Sequence, residues 1–189
     1  MWAPVTTVLL AINVLVFIAT YVSEDGIYGF ALVPRSIIYN PALFVISSLS
    51  SMFLHANIAH IAFNMIALTT LGRILEPHIG SKSFTLVYFI SGFAGSGLHT
   101  AYALITGTGI EVPLVGASGA ISGVIGIAAA LGDRLAIFWL IAQVPFALLG
   151  TSNIAYFAHI GGFVFGFAAG RIMLYVKKRR ERYGGYYYT

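Results

Sequence analysis

Residues 116–132 read GASGAISGVIGIAAALG, an uncharged run in which nearly every side chain is small or aliphatic. Glycines at positions 116, 119, 123 and 126 recur at intervals of three and four residues, which gives a stripe without side chains beside Ser118. Stripes of small residues allow transmembrane helices to approach closely without a hydrophobic driving force between them. This stretch therefore predicts a membrane-embedded helix that packs tightly against another helix.

The composition of the whole chain indicates the same environment. Of its 189 residues, 59% are hydrophobic and only 8% are charged, whereas soluble domains carry about 25% charged residues. Apolar runs that are long enough to cross a hydrocarbon core of about 30 Å recur along the chain. They predict an all-α membrane protein, a six-transmembrane-helix bundle in one domain (residues 1–176), with spans near 4–22, 58–75, 84–105, 117–132, 134–151 and 156–176. The first run is expected to be a retained span, because no basic residue precedes it.

The distribution of basic residues predicts the orientation of this bundle. Connections after the second and fourth spans carry three basic residues, Arg73, Lys82 and Arg134. Only Arg35 lies in the opposite connections, residues 23–57, 107–116 and 152–155. By the positive-inside rule, the N- and C-termini are cytoplasmic and the long first loop faces outward. Prolines and charges within that loop indicate that it lies in or on the interface, where short helices are possible.

The tail at residues 177–189 is basic and rich in tyrosine. It supplies half of the ten basic residues of the chain, namely Lys177, Lys178, Arg179, Arg180 and Arg182. Because it follows directly on an apolar helix, we expect it to bind the cytoplasmic membrane surface and not nucleic acid. The closing tyrosines are expected to be disordered or interfacial. The absence of cysteine excludes disulfides and thiolate catalysis. We expect a multi-pass protein of the cell membrane.

Several polar side chains fall inside the predicted spans, where they are costly and mark candidate functional sites. Counted back from the cytoplasmic ends at about 1.5 Å per residue, His60 lies about 20 Å, Ser118 about 22 Å and His159 about 27 Å from the inner face. The three side chains therefore share a layer close to the outer face. Asn64 lies four residues after His60, on the same helix face.

The sixth span carries a second glycine stripe. Its sequence Ala158-His159-Ile160-Gly161-Gly162 continues with Gly166 and Gly170, so that His159 lies at the start of a stripe spaced by three and four residues. If this stripe meets the stripe of the fourth span, Ser118 faces His159. The competing interpretation is that the glycines serve packing alone and that Ser118 bonds its own helix backbone. Two histidines and an asparagine at the depth of a glycine-flanked serine favour a shared site instead.

These residues resemble the rhomboid family of intramembrane serine proteases. The resemblance rests on His60 with Asn64 in span two, on Gly-x-Ser-Gly at 116–119, and on Ala-His-x-x-Gly-x-x-x-Gly at 158–166. It implies that Ser118 is the nucleophile and His159 its general base, while His60 and Asn64 form the oxyanion hole. Helix-packing glycines at the site are then Gly116, Gly119, Gly162 and Gly166. Two positions depart from the family pattern: Ser122 replaces an aromatic residue, and the first outer loop has Pro34-Arg35 in place of a Trp-Arg pair.

A serine needs a neighbouring base to act as a nucleophile, and His159 suffices for that chemistry. No Asp or Glu lies within a predicted span, so we predict a Ser-His dyad and not a triad. Hydrolysis requires water, which predicts an outward-open cavity lined by His60, Ser118, Asn64, His55 and Asn57. The expected substrates are transmembrane segments of other proteins, and we expect no metal or cofactor.

Three other functions are consistent with parts of the pattern. A transporter or proton pathway would use intramembrane His and Asn, but it predicts ionisable groups across the whole bilayer, and the cytoplasmic half carries only Arg171. A metalloprotease would need His55, His60 and His159 as ligands, although the chain has no H-E-x-x-H motif. An inactive relative that binds substrates without cutting them is the third alternative. His78 and His99 are expected to be solvated or packed.

Overall fold

The computed structural model describes residues 2–21, 29–149 and 155–183. Three parts of the sequence-based predictions lie outside these ranges: the start of the long first loop with Glu24 and Asp25, most of the loop at 152–155, and the closing tyrosines of the tail. Within the described ranges the chain is helical, and the one β-type contact is an isolated bridge between Leu32 and Leu114. The prediction of an all-α protein is confirmed.

Eight helices make up the described part of the chain. They are α1 (Pro4–Tyr21), α2 (Ser36–Tyr39), α3 (Pro41–Ser51), α4 (Ile58–Ile79), α5 (Ser81–Thr106), α6 (Ser118–Ala130), α7 (Arg134–Leu149) and α8 (Tyr156–Tyr183). A helix occupies each of the six predicted spans, and α2 and α3 occupy the first loop. Helix α8 continues without a break from the sixth span into the basic tail.

Three of these helices are long and apolar enough to cross a membrane by length and composition: α1, α4 and α8. Helices α6 and α7 are shorter, with 13 and 16 residues. At about 1.5 Å per residue, α6 measures about 20 Å and does not reach across a hydrocarbon core of about 30 Å. Its first residue is Ser118, so the helix begins at the side chain that the sequence singled out.

Helix α6 lies at the centre of the bundle, and every residue from Gly119 to Ala130 is buried. The small side chains of α6 and α8 bring the two backbones together: a Cβ on Gly162 would overlap the carbonyl of Gly119. One turn further on, a Cβ on Gly166 would overlap the carbonyl of Gly123. The structure thus brings the two glycine stripes face to face, and this contact fixes the rotation of α8 relative to α6.

Helix α4 continues beyond the predicted end of the second span and includes Glu76, whose side chain is only 1% exposed. Its carboxylate accepts hydrogen bonds from the backbone N–H groups of Val5 (2.9 Å) and Thr6 (2.8 Å). The hydroxyls of Thr6 (2.8 Å) and Ser81 (2.7 Å) donate to it as well. The first N–H groups of a helix have no intrahelical acceptor, so Glu76 caps α1 and joins three helices. The predicted second span, residues 58–75, stops one residue before this buried carboxylate.

We expect Glu76→Ala to lower the free energy of unfolding by about 1–3 kcal/mol, because it leaves buried donors of α1 without an acceptor. Unfolding of the purified protein in mixed micelles, followed by circular dichroism during a denaturant titration, measures the change. Glu181→Ala removes an exposed carboxylate from the far end of α8 and provides the matched control. An equal stability of the two variants would contradict the capping role of Glu76.

The first loop is joined to the connection between α5 and α6. Leu32 and Leu114 exchange backbone hydrogen bonds of 3.1 and 2.7 Å, and the N–H of Arg35 donates to the carbonyl of Ile110. The guanidinium of Arg35 contacts the side chains of Tyr39 and Glu111, which together raise its pKa. These contacts hold the chain segment that leads into Ser118.

Candidate active site

The segment before α6 determines where Ser118 lies. The N–H of Gly116 donates to the carbonyl of Ser51 on α3 at 2.8 Å. Gly116 has a φ of 125°, a conformation that residues with a Cβ rarely adopt, and this allows the chain to turn directly into α6. Ser118 thus stands at the N-terminus of a helix, where N–H groups are free and the helix dipole favours negative charge.

His159 lies in the first turn of α8, and its Nε2 is 2.8 Å from Oγ of Ser118. The two residues are 41 positions apart in sequence, and the packing of α6 on α8 brings them together. Backbone contact near this point is close as well, because a Cβ on Gly95 of α5 would lie 2.5 Å from the carbonyl oxygen of Ala158. A serine hydroxyl within hydrogen-bond reach of an imidazole is the geometry of an activated nucleophile.

The other imidazole nitrogen has a partner that the sequence analysis did not identify. Nδ1 of His159 lies 2.9 Å from Oε1 of Gln143, which is the only glutamine in the chain and belongs to α7. Two aromatic rings flank the imidazole, namely Trp139 at 5.8 Å between ring centroids and Tyr156 at 6.1 Å with an edge-on geometry. The signal in the sequence was a lone amide in an otherwise apolar span.

Ser122 makes no contact with His159 that would replace the aromatic residue of the family pattern at this position. Its hydroxyl donates to the carbonyl of Ser118, one turn earlier, at 2.6 Å. This is the usual behaviour of a serine within a helix. Trp139 approaches the imidazole from α7 instead, so an aromatic side chain still contacts His159, but from a different helix.

His60 and Asn64 lie on α4 on the other side of Gly116. Asn57 caps the helix by accepting the N–H of His60 at 2.8 Å, which holds His60 in the first turn. A Cβ on Gly116 would lie 2.7 Å from Nε2 of His60, so that the imidazole reaches the segment just before Ser118. Asn64 is 7% exposed, and its Nδ2 has no hydrogen-bond partner among the described residues.

His55 is completely buried and packs edge-on against His60, with ring centroids 5.0 Å apart. Burial, and to a lesser extent the neighbouring His60, lower the pKa of His55 to about 4, so the ring is neutral at physiological pH. Asn57 is occupied as the cap of α4. His99 is partly buried on α5, as expected for a packed residue.

A small cavity with room for about one water molecule lies beside Ser118. Of the five residues predicted to line an open cavity, only Ser118 lines this one, together with Ser51, Met52, Gly92, Ser96, Leu114, Gly116, Gly119, Ala120 and Ala158. His55 is excluded from it because that side chain is buried against His60. Two serines, Ser51 and Ser96, thus contribute to the lining of the cavity that the nucleophile candidate shares.

Among the residues that the structure describes, no three His, Cys, Asp or Glu side chains come together in a way that would hold a metal ion. The polar groups of the site are instead a serine, histidines and amides. Apolar helices that surround a Ser118–His159 pair define an integral membrane protein with a candidate serine-hydrolase site.

Comparison with known proteins identifies the family. The rhomboid domain matches residues 44–176, which covers α4 to α7 and most of α3 and α8. RHOMBOID-like protein 1 of Arabidopsis thaliana is 35% identical over 147 residues, which is 70% of this chain and 34% of that protein. The chain belongs to the rhomboid family.

Two further relatives come from other kingdoms. Rhomboid protease GluP of Bacillus subtilis is 35% identical over 132 residues, or 64% of this chain and 24% of that protein. Rhomboid protein 1, mitochondrial, of Saccharomyces cerevisiae is 31% identical over 154 residues, or 72% of this chain and 44% of that protein. The chain therefore spans less than half the length of these relatives.

Proposed function

We propose that the protein is an intramembrane serine endopeptidase that cleaves transmembrane segments near the outer membrane face. The observation that carries the proposal is the 2.8 Å approach of His159 Nε2 to Ser118 Oγ within a bundle of apolar helices. Membership of the rhomboid family and the name of the Bacillus subtilis relative, a rhomboid protease, support it. The catalytic pair is Ser118 as nucleophile and His159 as base.

In this mechanism Nε2 of His159 takes the proton of the Ser118 hydroxyl while Oγ attacks the carbonyl carbon of the scissile peptide bond. The tetrahedral intermediate collapses when the same imidazole returns the proton to the leaving amine, and an acyl-enzyme remains on Ser118. Water then attacks the acyl carbon, with His159 again as the base. The ester bond to Oγ breaks, the imidazolium returns its proton to Ser118, and the product leaves with a new carboxyl group. The cavity beside Ser118 offers a place for that water.

Negative charge develops on the substrate oxygen, and the donors around Ser118 suit it. Asn64 Nδ2 has no partner among the described residues, which supports its role as a donor held ready for the oxyanion. His60 and the free N–H groups at the start of α6 are the other candidates. Gly116 lies between α4 and Ser118, and because it has no side chain the His60 ring can approach this segment closely.

We expect Asn64→Ala to lower kcat about 100- to 1000-fold with little change in KM, because an oxyanion donor acts mainly in the transition state. Initial rates of cleavage of a labelled single-span substrate in detergent micelles give both constants. Ala62→Ser provides a control on the same helix, because Ala62 is exposed on its outer side. An effect on KM alone would assign Asn64 to substrate binding.

The same proposal includes the topology. We propose that the six predicted spans form one membrane domain (residues 1–176), in which the short α6 begins at Ser118 below the outer face and the chain before it completes that span, that both termini are cytoplasmic, and that residues 177–189 form a membrane-surface tail. The continuous helix α8, with its basic residues beyond the apolar part, supports this arrangement. The cell membrane is the proposed location, although one of the relatives is named as mitochondrial.

The proposed substrates are single-span proteins whose transmembrane helix contains small or helix-breaking residues near its outer end, because the scissile bond must leave the helix to reach Ser118. The direct test places the protein and such a labelled substrate in liposomes and identifies the products by mass spectrometry. Cleavage near the outer end of the span supports the proposal. Binding of the substrate without cleavage would favour an inactive relative, and proton flux without cleavage would favour the transporter.

A further inference from the structure

Helix α7 places a second polar contact on the proposed base. Its start is fixed by Asp133, whose carboxylate accepts the N–H of Leu135 at 2.9 Å. From there one face of the helix carries Ala136, which is buried, and Trp139 and Gln143, which are partly buried, while residues between them, such as Phe138, are exposed. The spacing of three and four residues puts Trp139 and Gln143 one above the other on the face that meets α8.

We propose that Gln143 is a positioning residue that holds His159 in the tautomer and orientation needed for the attack by Ser118. Its Oε1 lies 2.9 Å from Nδ1 of His159, and Nε2 on the opposite side of the ring lies 2.8 Å from Ser118 Oγ. An amide oxygen only accepts hydrogen bonds. Nδ1 of His159 therefore carries the proton and donates a hydrogen bond to Oε1 of Gln143. The lone pair of Nε2 then faces the Ser118 hydroxyl, as a base requires.

The neutral amide replaces the acid that completes a Ser-His-Asp arrangement. Oε1 supplies the orienting acceptor without placing a net charge in an apolar bundle, where an unpaired carboxylate would be costly. Trp139 restricts the ring from the same helix, with centroids 5.8 Å apart. The predicted dyad thus becomes a row of three residues, Ser118, His159 and Gln143, in which only the first two touch the substrate.

The opposite orientation of the amide makes the proposal testable. If Nε2 of Gln143 pointed at the imidazole, it would donate to Nδ1, and the proton of His159 would have to sit on the nitrogen that faces Ser118. In that state His159 is unable to act as the base. The two arrangements place one proton on different nitrogens, so they differ in an observable property.

The inference rests on the proposed function, and its test separates the two. In protein labelled with 15N-histidine, the imidazole signals of His159, assigned by their loss in His159→Ala, show which nitrogen is protonated. We expect protonation at Nδ1 in the wild type and a mixture of tautomers in Gln143→Met, which keeps the volume but removes the acceptor. Protonation at Nε2 in the folded wild type overturns the inference, whether or not the protein cleaves substrates.

Kinetics provide the second readout. We expect Gln143→Met to lower kcat about 10- to 100-fold with KM unchanged, because the loss concerns the orientation of the base and not substrate binding. Val144→Met, at an exposed neighbouring position, provides the matched control and should keep the wild-type kcat. Gln143→Glu retains an oxygen acceptor and should recover Nδ1 protonation and a larger part of kcat than Gln143→Met.

Each remaining outcome is decisive. A wild-type kcat and tautomer in Gln143→Met overturns the positioning role, and so does an equal loss in Val144→Met. If Gln143→Met does not fold, the tautomer of the wild type and the activity of Gln143→Glu still decide whether Gln143 orients His159. If the wild type cleaves no substrate, the proposed function fails, while the 15N signals of His159 continue to test the contact with Gln143.

Discussion

Replacement of Ser118 by alanine is expected to lower the rate of substrate cleavage by about 10⁴-fold or more, because it removes the atom that forms the acyl-enzyme. His159→Ala should cost a similar factor, since the Ser118 hydroxyl without a base is a weak nucleophile. The double variant should be no slower than either single variant, because the two residues act as a unit. Cleavage of a labelled single-span substrate in liposomes measures all three rates.

A fluorophosphonate probe adds a readout that does not depend on the choice of substrate. It should label the wild type at Ser118 and fail to label Ser118→Ala. Ser122→Ala is the matched control, because Ser122 lies one turn away and its hydroxyl is bound to the carbonyl of Ser118. We expect this control to keep both labelling and cleavage to within about threefold, the effect of one helical hydrogen bond. Labelling at Ser122, or cleavage that survives in Ser118→Ala, would show that the nucleophile is misassigned.

The helices of the bundle follow from hydropathy, whereas their ends do not. Six apolar runs coincide with α1 and α4 to α8, because burial of the backbone in a membrane requires helices. The predicted second span ends at residue 75, whereas α4 continues through Glu76 to Ile79, because donors from α1 and Ser81 satisfy that carboxylate. Backbone N–H groups have no sequence signature, so a partner of this kind is invisible without the fold.

For the site as well, one part of the arrangement follows from the sequence and another part depends on the fold. Ser118 and His159 were predicted to face each other because two glycine stripes indicated where α6 and α8 would meet, and the structure brings them within 2.8 Å. Gln143 was missed because one amide in an apolar run has no periodicity, and its partner depends on the rotation of α7. The prediction that His55 lines an open cavity was wrong, because its ring packs against His60. The direction of a side chain in a loop does not follow from the spacing of residues in the sequence.

Replacement of Gly166 by valine is expected to lower the free energy of unfolding by about 3 kcal/mol or more, because the new side chain would overlap the backbone of Gly123 on α6. A flexible neighbour would move aside at small cost, but the obstructing atoms are a carbonyl group and a Cα inside a fully buried helix. The helices must therefore separate along the whole stripe. Because Gly162 meets Gly119 one turn closer to Ser118, the separation also breaks the contact between Ser118 and His159.

Gly97→Val is the control for this experiment, since a Cβ on Gly97 meets nothing within 4 Å and the residue is also within a helix, α5. Both variants exchange the same residue types, so the difference between them isolates the contact of α8 with α6 from helix propensity. Stability is measured by denaturant titration in micelles, and fluorophosphonate labelling reports the state of the site. Gly166→Val should lose labelling and stability together, while Gly97→Val keeps both. Equal stability of the two variants would mean that the glycine stripes do not hold α6 against α8, and the geometric basis for pairing Ser118 with His159 would be lost.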